Sequence, residues 1–292
     1  MSPVRPEPLD HARFAGARRR RAVLDRAMIG LCVLAALVVL LPLALILAHL
    51  LHSGLARLDL AFFTHLPAPV GEPGGGMANA IVGTLVLVGI ATVFAVPVGV
   101  GAGLFLAEYG HGRFAAIVRY AADVLGGVPS IVVGVAVYGL VVVRMGHFSA
   151  LAGGLALGIL MLPLIIRSTE EVVRLVPQSY RLAALALGAP RWRVIQDVVL
   201  PAARAGIATA VMLSIARAAG ETAPLLFTAL GNRFWSLRLD QPIASLPVMI
   251  FDCARSPYPD WNAQASTGAL VLLLLVTVLA ALMRVATRRI RS

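Results

Sequence analysis

Arg217 and Glu221 stand four residues apart in Ser214-Ile-Ala-Arg217-Ala-Ala-Gly220-Glu221-Thr222-Ala-Pro224, a stretch with no other charge. On a helix that spacing puts both side chains on one face. At mid-membrane the arginine alone costs roughly 2.5 to 3.5 kcal/mol, so a residue of this kind is kept for a reason. One reason is structural: an ion pair that stitches helices together. The other is chemical. A guanidinium fork matches a pair of anionic oxygens. A carboxylate beside it repels a fully deprotonated anion but accepts a hydrogen bond from one that still carries a proton. Phosphate near neutral pH carries such a proton and sulfate does not. Gly220 and Pro224 are expected to interrupt the helix here, with Thr222 between them, freeing backbone groups that can line a polar path. Gly126-Gly127-Val-Pro129-Ser130 predicts a second break. A helix restarting after Pro129 aims its positive N-terminus and the Ser130 hydroxyl at an anion. Alternatively, Gly127 and Pro129 serve only close helix packing.

These residues need elements to hold them, and the composition says which. Of 292 residues, 59% are hydrophobic and 13% charged, too little polar surface for a domain facing water on all sides. Apolar runs long enough to cross a hydrocarbon core of roughly 30 Å predict six transmembrane helices at 27–51, 82–107, 119–143, 149–167, 201–230 and 266–286. The first run is too long for a signal-peptide core and is read as a retained anchor. The expected fold is an all-α polytopic membrane protein. It comprises an arginine-rich tail (1–26), the first helix (27–51), a loop rich in Pro and Gly (52–81), a five-helix core (82–287) and a short tail (288–292). Within the core, two connections are long, at 167–201 and 231–264. The second mixes Pro242, Pro247, Pro257 and Pro259 with Trp235 and Trp261, and is expected to pack on the membrane surface or a partner.

All 25 basic residues are arginine. Lysine is absent from the sequence, which excludes a standard nucleotide-binding loop of the G-x-x-x-x-G-K-[ST] type. The net charge of +11 forms no basic stripe but punctuates apolar runs, so no nucleic-acid partner is indicated. Nineteen of the arginines fall on one side of the predicted spans, seven in the N-terminal tail, two at 113 and 119, six from 167 to 204 and four from 284 to 291, which by the positive-inside rule places both termini in the cytoplasm. Cys32 and Cys253 suggest neither a metal pair nor a disulfide framework. The spans offer no nucleophile beside a base, and the six histidines are scattered, so an enzyme is the least favoured class.

The 167–201 connection predicts a protruding knob of two short helices. The first, from Pro177 to Gly188, is expected to be capped by Ser179 and closed by Gly188 in a left-handed conformation; the second runs from Arg191 to Leu200 and stops at Pro201. An amphipathic loop lying on the bilayer is the plain alternative. Leu182-Ala183-Ala184-Leu-Ala-Leu-Gly188 followed by Val198-Val-Leu200-Pro201 resembles the EAA loop of ATP-binding cassette importer permeases, with the motif's glutamate replaced by Leu182. With Ser179 as cap, residue 182 is the third helical position, where glutamate would complete a capping box. The resemblance implies that Ser179, Leu182, Ala183, Ala184, Gly188, Leu200 and Pro201 belong to helices that dock on a separate ATPase subunit.

A longer match sharpens this. Ala216 to Leu230, then Asn232-Arg-Phe-Trp235, Gln241-Pro-Ile-Ala-Ser-Leu-Pro247 and Gly127-Val-Pro-Ser130 are similar to the PstA-type permease of the phosphate-specific transport system. The resemblance covers about residues 80 to 287. It implies the type I ABC importer permease fold and import of inorganic phosphate by alternating access. The implied partners are a second, homologous permease of PstC type, two ATPase subunits of PstB type that use ATP, and an extracytoplasmic phosphate-binding protein of PstS type. No cofactor is expected in this chain, and the implied location is the plasma membrane, or the inner membrane of a cell with two. Arg217 and Glu221 match charged positions of that family's transport path. Competing readings keep the architecture and change the cargo to sulfate, molybdate or phosphonate. Others make the chain a passive anion channel or a sensory membrane subunit.

Overall fold

The computed structural model describes residues 11–289 apart from 56, 70, 71 and 73. Residues 1–10 of the arginine-rich tail and 290–292 of the C-terminal tail lie outside the described residues. The chain separates into two compact units, 1–52 and 53–292. Most of the first is helix α1 (His11–Leu55). Its apolar stretch Leu24–Leu55 has the length and composition of a membrane span and buries none of its most apolar window in the protein, as expected of a helix solvated by lipid.

The second unit is helical throughout its described residues apart from loops. α2 (Leu60–Thr64) precedes α3 (Ala78–Glu108), α4 (Arg113–Gly127), α5 (Ser130–Met145) and α6 (Ala150–Arg174). After these come α7 (Gln178–Ala186), α8 (Arg191–Ala219), α9 (Ala223–Thr228), α10 (Leu246–Ala254) and α11 (Pro259–Arg289). α3 and α6 form the centre. Small residues let their backbones close up: a Cβ at Gly103 would stand 2.6 Å from the Ile166 carbonyl, and one at Gly154 2.4 Å from Ile90 Cγ2. Among helices in lipid, such close approach supplies the packing energy that water-driven burial cannot. α6 starts cleanly because Ser149 Oγ accepts from the Ala152 amide at 3.1 Å. The amides of Ser149, Ala150 and Leu151 donate to the carbonyls of Thr228, Gln241 and Leu239.

Two expectations need correction. The third span is not one helix over 119–143. α4 and α5 meet at 106°, because Pro129 withholds an amide and restricts Val128 to the extended conformation it adopts (φ −72°, ψ 131°). Among the described residues there are therefore five helices long and apolar enough to cross a membrane, or six if the bent pair is one span. α4 carries Arg113, Arg119 and Asp123 and is amphipathic, whereas α5 is apolar.

Secondly, Pro201 does not stop the helix that starts at Arg191. α8 runs on to Ala219 through a widened π-turn at Ile195–Val199, in which the Leu200 amide donates to the Ile195 carbonyl. Pro201 has no N–H to give and its ring would crowd the carbonyl one turn back; widening that turn relieves both. The 231–264 connection is also held to the helical core. Thr84 Oγ1 accepts from the Leu246 amide at 2.8 Å, and Asn79 Nδ2 donates to the Asn232 carbonyl at 2.8 Å.

Candidate functional site

α8 ends where the sequence predicts a break. Gly220 closes it, its amide shared between the Ala218 and Arg217 carbonyls. Glu221 follows outside the helix, and Thr222 occupies the N-cap of α9, its carbonyl accepting from Leu225 and Leu226 at 3.1 and 3.3 Å. Pro224 sits in the first turn of α9, where a missing amide is harmless. Arg217 thus stands in the last turn of α8, where the helix dipole favours a cation, and its Nε lies 3.7 Å from Glu221 Oε1. The carboxylate is mostly covered, with 19% of the side chain exposed, whereas the arginine is 65% exposed. Leu160, Met161 and Leu164 of α6 and Ser214 and Ala218 of α8 line a shallow recess beside the pair. The Ser214 hydroxyl is already committed to the Ala210 carbonyl at 3.0 Å.

The second break comes close to the first. Ser130 opens α5 after Pro129 at the N-cap, with no side-chain cap bond. One turn on, Gly134 packs against Pro224. Gly127 is the last residue of α4. The two interruptions, 127–130 and 220–224, therefore belong to helices in direct contact. Ser130 shares the α5 face of Gly134 by its i, i+4 spacing.

The knob differs from expectation at its start and matches it at its end. Ser179 caps nothing: α7 begins at Gln178 with Pro177 as N-cap (φ −56°, ψ 139°) and no side-chain cap bond. Proline already sets the φ the chain needs, and Ser179 falls inside the first turn. Leu182 is consequently the fifth helical residue, so the capping-box role of a glutamate there does not apply; its side chain is exposed. Gly188 has φ +82°. Its amide donates to the Leu185 carbonyl at 2.9 Å and that of Ala189 to Ala184 at 3.2 Å, the paired bonds of a Schellman closure. Ala183 is exposed, Ala184 packs on the core, and Leu200 and Pro201 lie within α8. Tyr180, Leu182, Leu185, Leu187 and Trp192 leave an apolar surface uncovered.

Near the knob lies a charge cluster that the sequence reading missed. Glu170 of α6 is 2% exposed and meets Arg119 at 2.6 Å, Arg167 at 3.3 Å and Arg174 at 2.6 Å. Asp123, given no role above, accepts from Arg167 Nε and Nη2 at 2.7 and 2.6 Å. Arg181 of α7 binds Glu108 at the end of α3 at 2.7 Å. A buried carboxylate survives only with such partners. The signal was present in Arg167-x-x-Glu170-x-x-x-Arg174, where both arginines share a helix face with the acid.

At the far end of the core, Arg233 stacks 4.7 Å above Trp261 beside a recess of about 710 Å³, mouth included, lined in part by Asn232, Ser245, Asp252 and Cys253. Burial, and then the Asp252 charge, push the Cys253 thiol up to about 11.

Comparison with known proteins fits this arrangement. Residues 99–292 match the family described as binding-protein-dependent transport system inner membrane component. The phosphate transport system permease protein PstA of Yersinia pestis is 48% identical over 241 residues, covering 82% of each chain. PstA of Haemophilus influenzae is 44% identical over 257 residues, 87% of this chain and 90% of that one. PstA 1 of Mycobacterium tuberculosis is 43% identical over 225 residues, 74% of this chain and 72% of the other. Among solved structures, an inward-facing MetNI methionine ABC transporter chain superposes with a TM-score of 0.61 at 18% identity, over 73% of this chain and 97% of that chain. An amino acid ABC transporter with histidines gives 0.52 at 17% identity. At those identities the likeness is one of fold: that of type I ABC importer permeases.

Proposed function

The chain belongs to the inner-membrane components of binding-protein-dependent transport systems and, within them, to the PstA-type phosphate transport permeases, and we propose that it is the membrane-spanning subunit of an ATP-driven importer of inorganic phosphate. The observation that carries this reading is the Arg217–Glu221 pair at the break between α8 and α9. Its own chain leaves Arg217 largely uncovered. A guanidinium at that depth needs a polar path or a partner around it, and a homologous second permease would close the site from the other side. The fork binds two phosphate oxygens; Glu221 accepts from the oxygen that keeps its proton and repels an anion that has none.

The exposed surface of α7 and the start of α8 is the docking face for one of two ATPase subunits, which bind and hydrolyse ATP; this chain, without a lysine, makes no standard nucleotide loop. The arginine distribution supports cytoplasmic termini and a cytoplasmic α7. The 231–264 segment then faces an extracytoplasmic phosphate-binding protein. ATP-driven closure of the ATPase pair moves α7, and the breaks at 127–130 and 220–224 expose Arg217 to one side and then the other.

The test is ATP-dependent uptake of radiolabelled phosphate by vesicles holding the full complex, with unlabelled sulfate in excess. Uptake that sulfate does not reduce, and that Arg217→Gln abolishes in an assembled complex, supports the reading. Full competition by sulfate overturns the cargo, and normal transport by Arg217→Gln makes the pair structural.

A further inference from the structure

α7 has no buried residue, so what fastens it to the core decides how far its movement is felt. Its main fastening is Arg181. Nε and Nη2 donate to Glu108 Oε1 at 3.1 and 2.7 Å, Nη2 also to the Val173 carbonyl at 3.0 Å, and Nη1 to the Val176 carbonyl. The two side chains are 18% and 13% exposed. A fork held at several points fixes an angle as well as a distance, which the small apolar contacts of Ala184 and Ala189 do not.

Glu108 is the last residue of α3. The carbonyls of Leu106 and Gly110, around the same turn, accept from Arg119 Nη2 of α4 at 2.9 and 3.1 Å. The end of α3 is therefore gripped by α7 and α4 together. α4 is pinned to α6 at residues one turn apart, through Arg119–Glu170 and Asp123–Arg167. It ends at Gly127, where the chain swings 106° into α5. α5 then bears on α9 through Gly134 and Pro224, three residues beyond Glu221.

We propose that the Arg181–Glu108 ion pair is the joint that transmits movement of α7 to the Arg217 region, with α4 as its lever, so that Arg181 and Glu108 are positioning residues for the coupling of hydrolysis to transport. The inference rests on the importer reading above. It says which contact carries the stroke; the docking face says only where the stroke arrives.

In vesicles holding the complete complex, phosphate uptake and ATP hydrolysis are measured together for wild type, Arg181→Met and Glu108→Gln. The expected result is about a tenfold or greater rise in ATP consumed per phosphate imported, with the ATPase subunits still bound. A merely structural role lowers both activities together through lost complex and keeps the wild-type ratio; that result, or wild-type uptake in both variants, overturns the proposal. If Arg181→Met does not assemble, Glu108→Gln, which lies outside α7, decides. As a second arm, Arg181→Cys and Glu108→Cys are combined in a chain whose Cys32 and Cys253 are replaced by alanine, and bridged by a short bismaleimide. A ratio restored by bridging supports the joint, and one that stays high after bridging overturns it. Absence of phosphate uptake by the wild-type complex would count against the function proposed above, not the joint; the stimulation of ATP hydrolysis by the binding protein, lost in the variants, still reads the joint.

Discussion

Gly134 of α5 lies so close to Pro224 of α9 that a Cβ in place of its hydrogen would stand 2.6 Å from the proline Cα and 3.2 Å from its carbonyl oxygen. These are backbone atoms of the segment that follows Glu221, and they cannot swing aside as the tip of a side chain would. The contact ties the two helix interruptions into one unit.

Gly134→Ala should therefore separate α5 from α9 and destabilise the chain by about 1 to 3 kcal/mol, the usual range for overpacking, with Gly134→Val worse. Thermal unfolding in detergent reads the first effect and phosphate uptake the second. An alanine variant with unchanged melting and uptake would show that the contact is looser than it stands here.

Replacing Arg217 by lysine keeps the charge and loses the fork, so uptake should fall by roughly the 1.5 to 3 kcal/mol of a charge-assisted hydrogen bond, about tenfold or more. Glu221→Gln should act differently. It keeps a hydrogen-bonding group but removes the carboxylate that repels an anion with no proton to donate, and its amide can itself donate, so sulfate should begin to compete with phosphate. Competition assays on both variants, run in parallel, separate the two roles.

Glu170 is enclosed by three guanidinium groups. Glu170→Gln preserves its shape and leaves those cations short of their counter-charge, a loss on the order of 3 kcal/mol for a buried pair broken on one side. The yield of folded protein in membranes and the melting temperature should both drop. A neutral result would mean that Asp123 for Arg167, the Leu106 and Gly110 carbonyls for Arg119 and solvent for Arg174 satisfy the arginines without the Glu170 charge.

Gly188 has open space around it, with nothing within 4 Å of an added Cβ, yet φ is +82°. Gly188→Ala should then cost about 1 to 2 kcal/mol through the backbone alone, fraying the end of α7, and Gly188→Asn should cost less. The amount of ATPase subunit that co-purifies with each variant measures the consequence.

The Cys253 thiol, held near 11 by its burial and by Asp252 against about 9 for the free group, stays protonated at pH 8. Because only the thiolate reacts, alkylation in the native protein should be about a hundredfold slower than after denaturation, and should accelerate above pH 10. Rapid labelling at pH 8 would show that the 231–264 segment opens readily.

The sequence discloses spans and breaks well, because a membrane imposes length and apolarity on every crossing and because Gly220, Pro224, Gly127 and Pro129 interrupt helices by their covalent structure. It discloses Gly188 for the same reason. Where it misleads, a tertiary or neighbouring effect has overridden a local preference. Ser179 is a good cap by type but loses the place to Pro177, whose ring starts the helix two residues early. Pro201 reads as a stop but is absorbed by a widened turn. The Glu170 cluster is only half legible: Arg167 and Arg174 lie within one turn of it in sequence, but Arg119 comes from another helix, 51 positions away. Arg181 lies one residue from the recognisable Leu182-Ala-Ala run, yet its partner Glu108 is 73 positions away, beyond the reach of any spacing rule.

The unbroken course of α8 has a mechanical consequence. From Val199, at the end of its wide turn, to Arg217 the helix rises about 1.5 Å per residue, a rod of about 27 Å. Each degree of tilt about that turn carries the guanidinium roughly 0.5 Å, and the useful range of a hydrogen bond spans about the same distance. A swing of three or four degrees is then enough to engage or release an anion. Pro201, by widening one turn of helix, supplies the fulcrum.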